Sequence, residues 1–308
     1  FCMAGRISDQ RPPAASGVCC MARRRPRCCF FCGVIIARNP WNWSELASPQ
    51  ATSSPRADSS WVFSKPVCCC SSSKKLAEQL QPEFLDKGDR LIVRSTRKGR
   101  GWSWKSMSAK GKITVAMPSG MDLLVDVSSG STTITGDMGE AAVHHDASSG
   151  SLRINGALQE LHADLSSGSV KVVVGRPLER FSADASSGSI RLEGGAHAAD
   201  VDTSSGSIKL FGLLGSADLG ASSGSISAQW DRLQPGETIK ASASSGSVTL
   251  RFPVEARFNG TAKVSSGGLH SDFPAMLRGQ KNLEFDSGPD AVDLTVSASS
   301  GSVKLLEN

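Results

Sequence analysis

The 308-residue chain contains no tyrosine, so tyrosine is absent as an acid, base or nucleophile. Cysteine is missing from everything beyond Cys70: all nine cysteines lie at Cys2, Cys19, Cys20, Cys28, Cys29, Cys32, Cys68, Cys69 and Cys70. The longer remainder therefore needs no disulfide and suits either redox compartment. Runs such as Cys68-Cys69-Cys70 lack zinc-finger spacing, and an odd number cannot all pair within one chain. The apolar run from Cys28 to Ala37 is too short to span a bilayer as a helix. No phosphate-loop motif occurs, and neither does the Gly-Gly-x-Gly-x-Asp loop of calcium-binding β-rolls.

A basic surface is missing too, although the net charge of +5 suggests one. Residues 1–75 carry 11 Lys and Arg against 3 Asp and Glu, which leaves 23 basic and 26 acidic residues for the rest, a net of −3. No nucleic-acid partner is expected of that remainder. Residues 1–80 read as a low-order leader rich in Cys, Arg and Ser. Two readings of it stand open. Met21 to Arg27 followed by the apolar run resembles a secretory signal. Alternatively the segment is disordered, or its start is misassigned. Residues 81–308 read as one repeat domain.

What is abundant is Gly, with 31 copies, and Ser. Ser-Ser-Gly recurs nine times, beginning at Ser128, Ser148, Ser166, Ser186, Ser204, Ser222, Ser244, Ser265 and Ser299. All but the Ser265 copy continue with a further Ser. Most intervals are 18–22 residues and the last is 34. Apolar residues alternate on both sides of the motif: Leu161, Ala163 and Leu165 before it, Val170 and Val172 after it. Such alternation is the period of a half-buried strand. The apolar residues nearest the motif are five apart, an odd offset. Both can face one interior only if the chain bends at the motif, where Gly supplies the backbone freedom. The repeat glycines are Gly130, Gly150, Gly168, Gly188, Gly206, Gly224, Gly246, Gly267 and Gly301.

One such unit cannot bury its apolar face alone, so the units stack. The expected fold is all-β: a single-chain β-solenoid, or β-helix, of about nine short coils. Arg90 to Ser95 and Lys112 to Met117 are expected as an N-terminal strand pair capping the first coil. The insertion from His270 to Asp290 is expected to cap the last. Capping matters because open strand edges aggregate.

The unit Asp184 to Leu192 and its copies, with the strand-like segment Lys112 to Leu123, resemble the bacterial putative-adhesin family of β-strand-repeat proteins, a domain of unknown function. The resemblance covers roughly 84–308. It implies a single-chain β-solenoid in an exported or envelope-associated protein.

Three surface features carry candidate chemistry. Asp126, Asp146, Asp164, Asp184 and Asp202 form an outward acidic column. Arg153, Lys171, Arg191 and Lys209 form a basic one beyond the motif, and both columns stop together at Gly220 and Ser227. Mutual compensation is the favoured reading. His144 and His162 share a register with Asp146 and Asp164 two residues on, and are the only residues resembling a metal set; no metal or cofactor is assigned. His145 falls at an inward position. Trp102 and Trp104 lie among Arg97, Lys98, Arg100 and Lys105, a combination that binds anionic surfaces, glycans or single-stranded nucleic acid, or that folds over the end of the solenoid. Evenly distributed charges, without a cleft of acids and bases, argue against a carbohydrate-active β-helix enzyme. The expected role is a non-catalytic, envelope-associated or secreted, adhesin-like binding or scaffolding surface. Its partner would be a cell-surface glycan, an envelope component or a protein. A bactofilin-like self-assembling rod is the alternative.

Overall fold

The computed structural model describes residues 3–6, 33–38, 62–65, 82–86, 90–95, 114–279 and 281–308. The chain divides into two compact units, Phe1–Gly130 and Ser131–Asn308. Every regular element among the described residues is a strand, so none is a helix able to cross a membrane.

The first unit contributes β1 (Met3–Arg6), β2 (Gly33–Arg38), β3 (Val62–Lys65), β4 (Pro82–Asp86), β5 (Arg90–Ser95), β6 (Thr114–Ala116) and the start of β7 (Asp122–Asp137). β2 lies between β5 and β7, and β4 lies on the other side of β5, all antiparallel. β3 pairs antiparallel with β1 and β6 in a separate three-stranded sheet. The expected N-terminal strand pair is therefore corrected, because β5 and β6 belong to different sheets. The partner that β5 takes instead is the apolar, β-branched stretch Val34 to Ala37. That stretch is the run the sequence offered as a signal core. β6, at three residues, is short.

The second unit contains β8 (Ala142–Ala157), β9 (Glu160–Ser167), β10 (Val170–Val174), β11 (Leu178–Ser187), β12 (Ile190–Glu193), β13 (Ala196–Ser205), β14 (Ile208–Leu213), β15 (Ser216–Ser223), β16 (Ile226–Trp230), β17 (Thr238–Ser245), β18 (Val248–Phe252), β19 (Phe258–Ser266), β20 (Leu269–Ser271), β21 (Met276–Leu277), β22 (Asn282–Asp286), β23 (Val292–Ser300) and β24 (Val303–Glu307). Two parallel ladders run through it. One is β8, β9, β11, β13, β15, β17, β23, β19. The other is β8, β10, β12, β14, β16, β18, β24, β20. Each coil gives one strand to each ladder and bends between them at Ser-Ser-Gly. This is the β-solenoid expected of the repeat.

The alternating residues face inward as their spacing predicts. Leu161, Ala163, Leu165, Val170, Val172, Phe181, Ile190, Leu192, Ile208, Leu210, Val248 and Leu250 are all buried. His145 also points inward, and its Nε2 lies 2.9 Å from the Thr132 hydroxyl. A buried imidazole needs such a partner.

Two features depart from expectation. About six coils, not nine, are regular two-strand turns: β9–β10, β11–β12, β13–β14, β15–β16, β17–β18 and β23–β24. β7 and β8 instead run through the motif as continuous strands, and β20 has only three residues. The stacking order also departs from the chain order. β23–β24, the last coil in sequence, sits between β17–β18 and β19–β20. The chain passes over one level, builds β19–β20, returns through β21–β22, and then fills the gap. Gly246 N–H donates to Ser300 O, and Gly301 N–H to Ser266 O, across this insertion. The 34-residue interval is the length of that detour. Its β22 pairs antiparallel along β19, closing that edge as the expected cap.

Ile190 and Leu210 are fully buried between neighbouring coils. Ile190→Asp or Leu210→Asp is expected to cost more than about 3 kcal/mol, because an unpaired charge enters a narrow core. Thermal unfolding followed by circular dichroism checks this. A wild-type melting temperature would place these side chains on the surface.

Candidate functional site

Parallel, in-register stacking turns each outward sequence position into a column with a spacing of roughly 4.8 Å. On the first ladder, Asp146, Asp164, Asp184 and Asp202 are in register, and Gly220 ends the row. The termination has a steric side. A Cβ on Gly220 would lie 1.8 Å from the Asp202 carboxylate oxygen, so this carboxylate occupies the space a side chain there would need. Asp200 and Asp218 stand in the adjacent column, next to Asp202. The Asp202 carboxyl is pushed above the usual carboxylate range, first by desolvation and then by Asp184, Asp200 and Asp218.

The basic column lies on the second ladder: Arg153, Lys171, Arg191 and Lys209 are in register. Among the described residues no ion pair joins it to the acidic column. Arg191 turns along its own strand to Glu193, with Nε to Oε1 at 2.5 Å, and its guanidinium lies 5.2 Å from the centre of the Phe211 ring. Arg191 holds the Glu193 carboxyl below its usual range, mainly through that hydrogen bond. The bend sends the two columns to different ladders, and Arg191 finds its anion nearby.

His144 and His162 are brought together, but as a stack. Their rings are 4.5 Å apart and inclined by 17°. His144 Nε2 lies 3.5 Å from Asp146, and His162 Nδ1 lies 3.1 Å from the Ser182 hydroxyl. Asp164 is in register with Asp146. Among the described residues no three His, Cys, Asp or Glu side chains converge as a metal set. Trp102, Trp104, Arg97, Lys98, Arg100 and Lys105 lie outside the described residues.

The repeat glycines form a column as well. Gly168 N–H donates to Ser187 O and Gly188 N–H to Ser205 O, and so on along the unit. Hydroxyls line the bend beside them, with Ser302 Oγ donating to Ser247 Oγ at 3.1 Å.

One group of residues escaped the sequence reading. An open depression of about 240 Å³ crosses β11, β13, β15 and β17, lined by Arg180, Ala198, Asp200, Ser216, Asp218 and Lys240. Its signal was present. Asp200, Asp218 and Lys240 continue the column that begins with His144 and His162, four residues before each motif. Following that position through every repeat would have found them.

The family model for Toastrack DUF4097 matches residues 69–306. The chain belongs to the Toastrack DUF4097 family. A solved structure named "putative cell adhesion protein", from Clostridium sporogenes ATCC 15579, is similar at 10% identity over 81% of each chain, with a TM-score of 0.23. A likeness that loose says nothing further about this Toastrack chain. No curated protein matches it.

The raised Asp202 carboxyl has a consequence for Toastrack stability. Its ionised form is disfavoured in the fold, so the penalty is full above the folded pKa and disappears as pH falls through it. Asp202→Asn is expected to stabilise the protein at pH 7 by up to about 1 kcal/mol, with solvent screening included. The gain should fade on acidification. Melting temperatures at pH 7 and pH 4 check it; a loss of stability at pH 7 would show that the carboxylate is favourably paired.

Proposed function

We propose that this Toastrack domain, taken as residues 81–308, is a non-catalytic, adhesin-like binding or scaffolding surface, secreted or held at the cell envelope. The observation that carries the reading is the organisation of the outer faces. Charged residues run as in-register columns across neighbouring strands, one position per coil, as in Asp146, Asp164, Asp184 and Asp202. Catalysis needs a few groups aimed at one reacting atom, whereas repeated columns suit an extended ligand or a partner surface. Partners of that kind are cell-surface glycans, envelope components and proteins.

The self-assembling rod is the weaker reading because β22 lies along the edge of β19, where a further coil would have to add.

The test is co-sedimentation of the purified full chain, and of a fragment covering 81–308, with envelopes isolated from the cells that produce the protein. Saturable retention of both, weakened by salt, is expected. No retention, together with concentration-dependent growth of fibres in light scattering, would favour the rod and end the surface reading.

A further inference from the structure

The depression across β11, β13, β15 and β17 has a charge layout that specifies a ligand. In one column, Ser182, Asp200, Asp218 and Lys240 are in register on the four strands. In the next, Arg180 is in register with Ala198, and Ala198 with Ser216. Ala198 and Ser216 are small, and their short side chains leave the hollow of about 240 Å³. Two carboxylates thus stand side by side at the centre, with a cation at each diagonal corner. The corner Cα atoms, three strand spacings and one same-face step apart, are roughly 16 Å from each other. An Arg and a Lys side chain are together long enough to cover much of that span. Among the described residues none of Arg180, Asp200, Asp218 and Lys240 makes an ion pair. All four are exposed.

Facing carboxylates want a positive group between them, and the two corner cations want negative ones at either end. The hollow is below the usual size of a drug-like site, so the ligand is small. We infer that this hollow binds an amino-dicarboxylate: an ammonium against Asp200 and Asp218, with one carboxylate on Arg180 and the other on Lys240. The full group belongs to a free acidic amino acid; in the first residue of a peptide the α-carboxylate has become the peptide bond. Asp202 stands in the neighbouring column, but among the described residues no three carboxylates or imidazoles converge there as a metal set, so the site differs from a cation trap. This inference rests on reading the sheet face as a binding surface, and it names the chemistry of one place on it.

The experiment is saturation-transfer NMR on the full chain with four probes. L-glutamate carries the full group, N-acetyl-L-glutamate and glutarate lack the ammonium, and putrescine lacks the carboxylates. The exposed setting predicts weak binding, tightest for L-glutamate, with each incomplete probe at least about fivefold weaker. Asp200→Asn with Asp218→Asn should bring L-glutamate down to the level of glutarate. Arg180→Gln with Lys240→Gln should weaken it by about the same factor, with unchanged melting temperatures. A Glu-Ala-Ala peptide, whose first residue keeps the ammonium but only the side-chain carboxylate, should bind as weakly as the other incomplete probes. The inference is overturned if L-glutamate shows no saturable signal, if putrescine binds as well, or if either double variant binds like the wild type. Envelope retention that persists under any of those results would leave the surface reading standing and remove only this site.

Discussion

Everything in the second unit depends on how closely the chain passes itself at the Ser-Ser-Gly bend. At Gly188 the backbone has φ near 138°, a region that L side chains rarely adopt. A Cβ built there would lie 1.5 Å from the carbonyl oxygen of Gly168 in the coil below. Two conditions therefore coincide at one residue: the bend needs glycine's backbone freedom, and the stacking leaves no room for a side chain. The bend lets the odd five-residue offset turn apolar residues on both sides of the motif inward. The close approach lets Gly N–H donate to a serine carbonyl at every level. Without the first there is no common core, and without the second the ladders would be interrupted at the corner.

The same constraint accounts for the unusual stacking order. A coil that carries the motif and its alternation can pair with any other such coil, because the contacts across the bend are mainly backbone and glycine. β23–β24 has both features, and so fits between β17–β18 and β19–β20 although it comes last in the chain. Val292, Leu294, Val296, Val303 and Leu305 are buried there as completely as their counterparts in the middle coils. At this end the interior is aromatic. Phe252 packs at a tilt against Trp230 and Phe258, at centroid distances of 4.9 and 4.7 Å, and Phe273 meets Phe258 edge-on at 5.1 Å. Trp230 Nε1 donates to Gly215 O at 2.8 Å, which satisfies its one polar atom.

The solenoid was legible in the sequence because its cause is local and repeated. Leu161, Ala163, Leu165 and the following Val170 and Val172 carry the period, and Gly168 between them carries the bend. The order of the last two coils was not legible, because interchangeable units do not encode which neighbour each takes. Only the 34-residue interval hinted at it. The pairing of β5 with β2 was hidden for another reason: it joins a strand of the leader to one beyond it, far apart in sequence and both without the repeat. At the surface the acidic column was legible along the chain. Its relation to the basic column was not, because the fold angle at the bend sends Arg191 to Glu193 rather than to Asp184. The hollow bounded by Arg180 and Lys240 was overlooked because it is written across four repeats, two or more residues away from the most regular positions.

The central claim is that the glycine column is required both for its backbone conformation and for the space it leaves. The most direct measurement compares the unfolding free energy of Gly188→Ala with that of Gly175→Ala, a return-loop position where an added Cβ meets nothing within 4 Å. The account predicts a loss of at least about 3 kcal/mol at Gly188, from strain and a backbone clash together, against less than about 1 kcal/mol at Gly175. Equal stability of the two variants would contradict it.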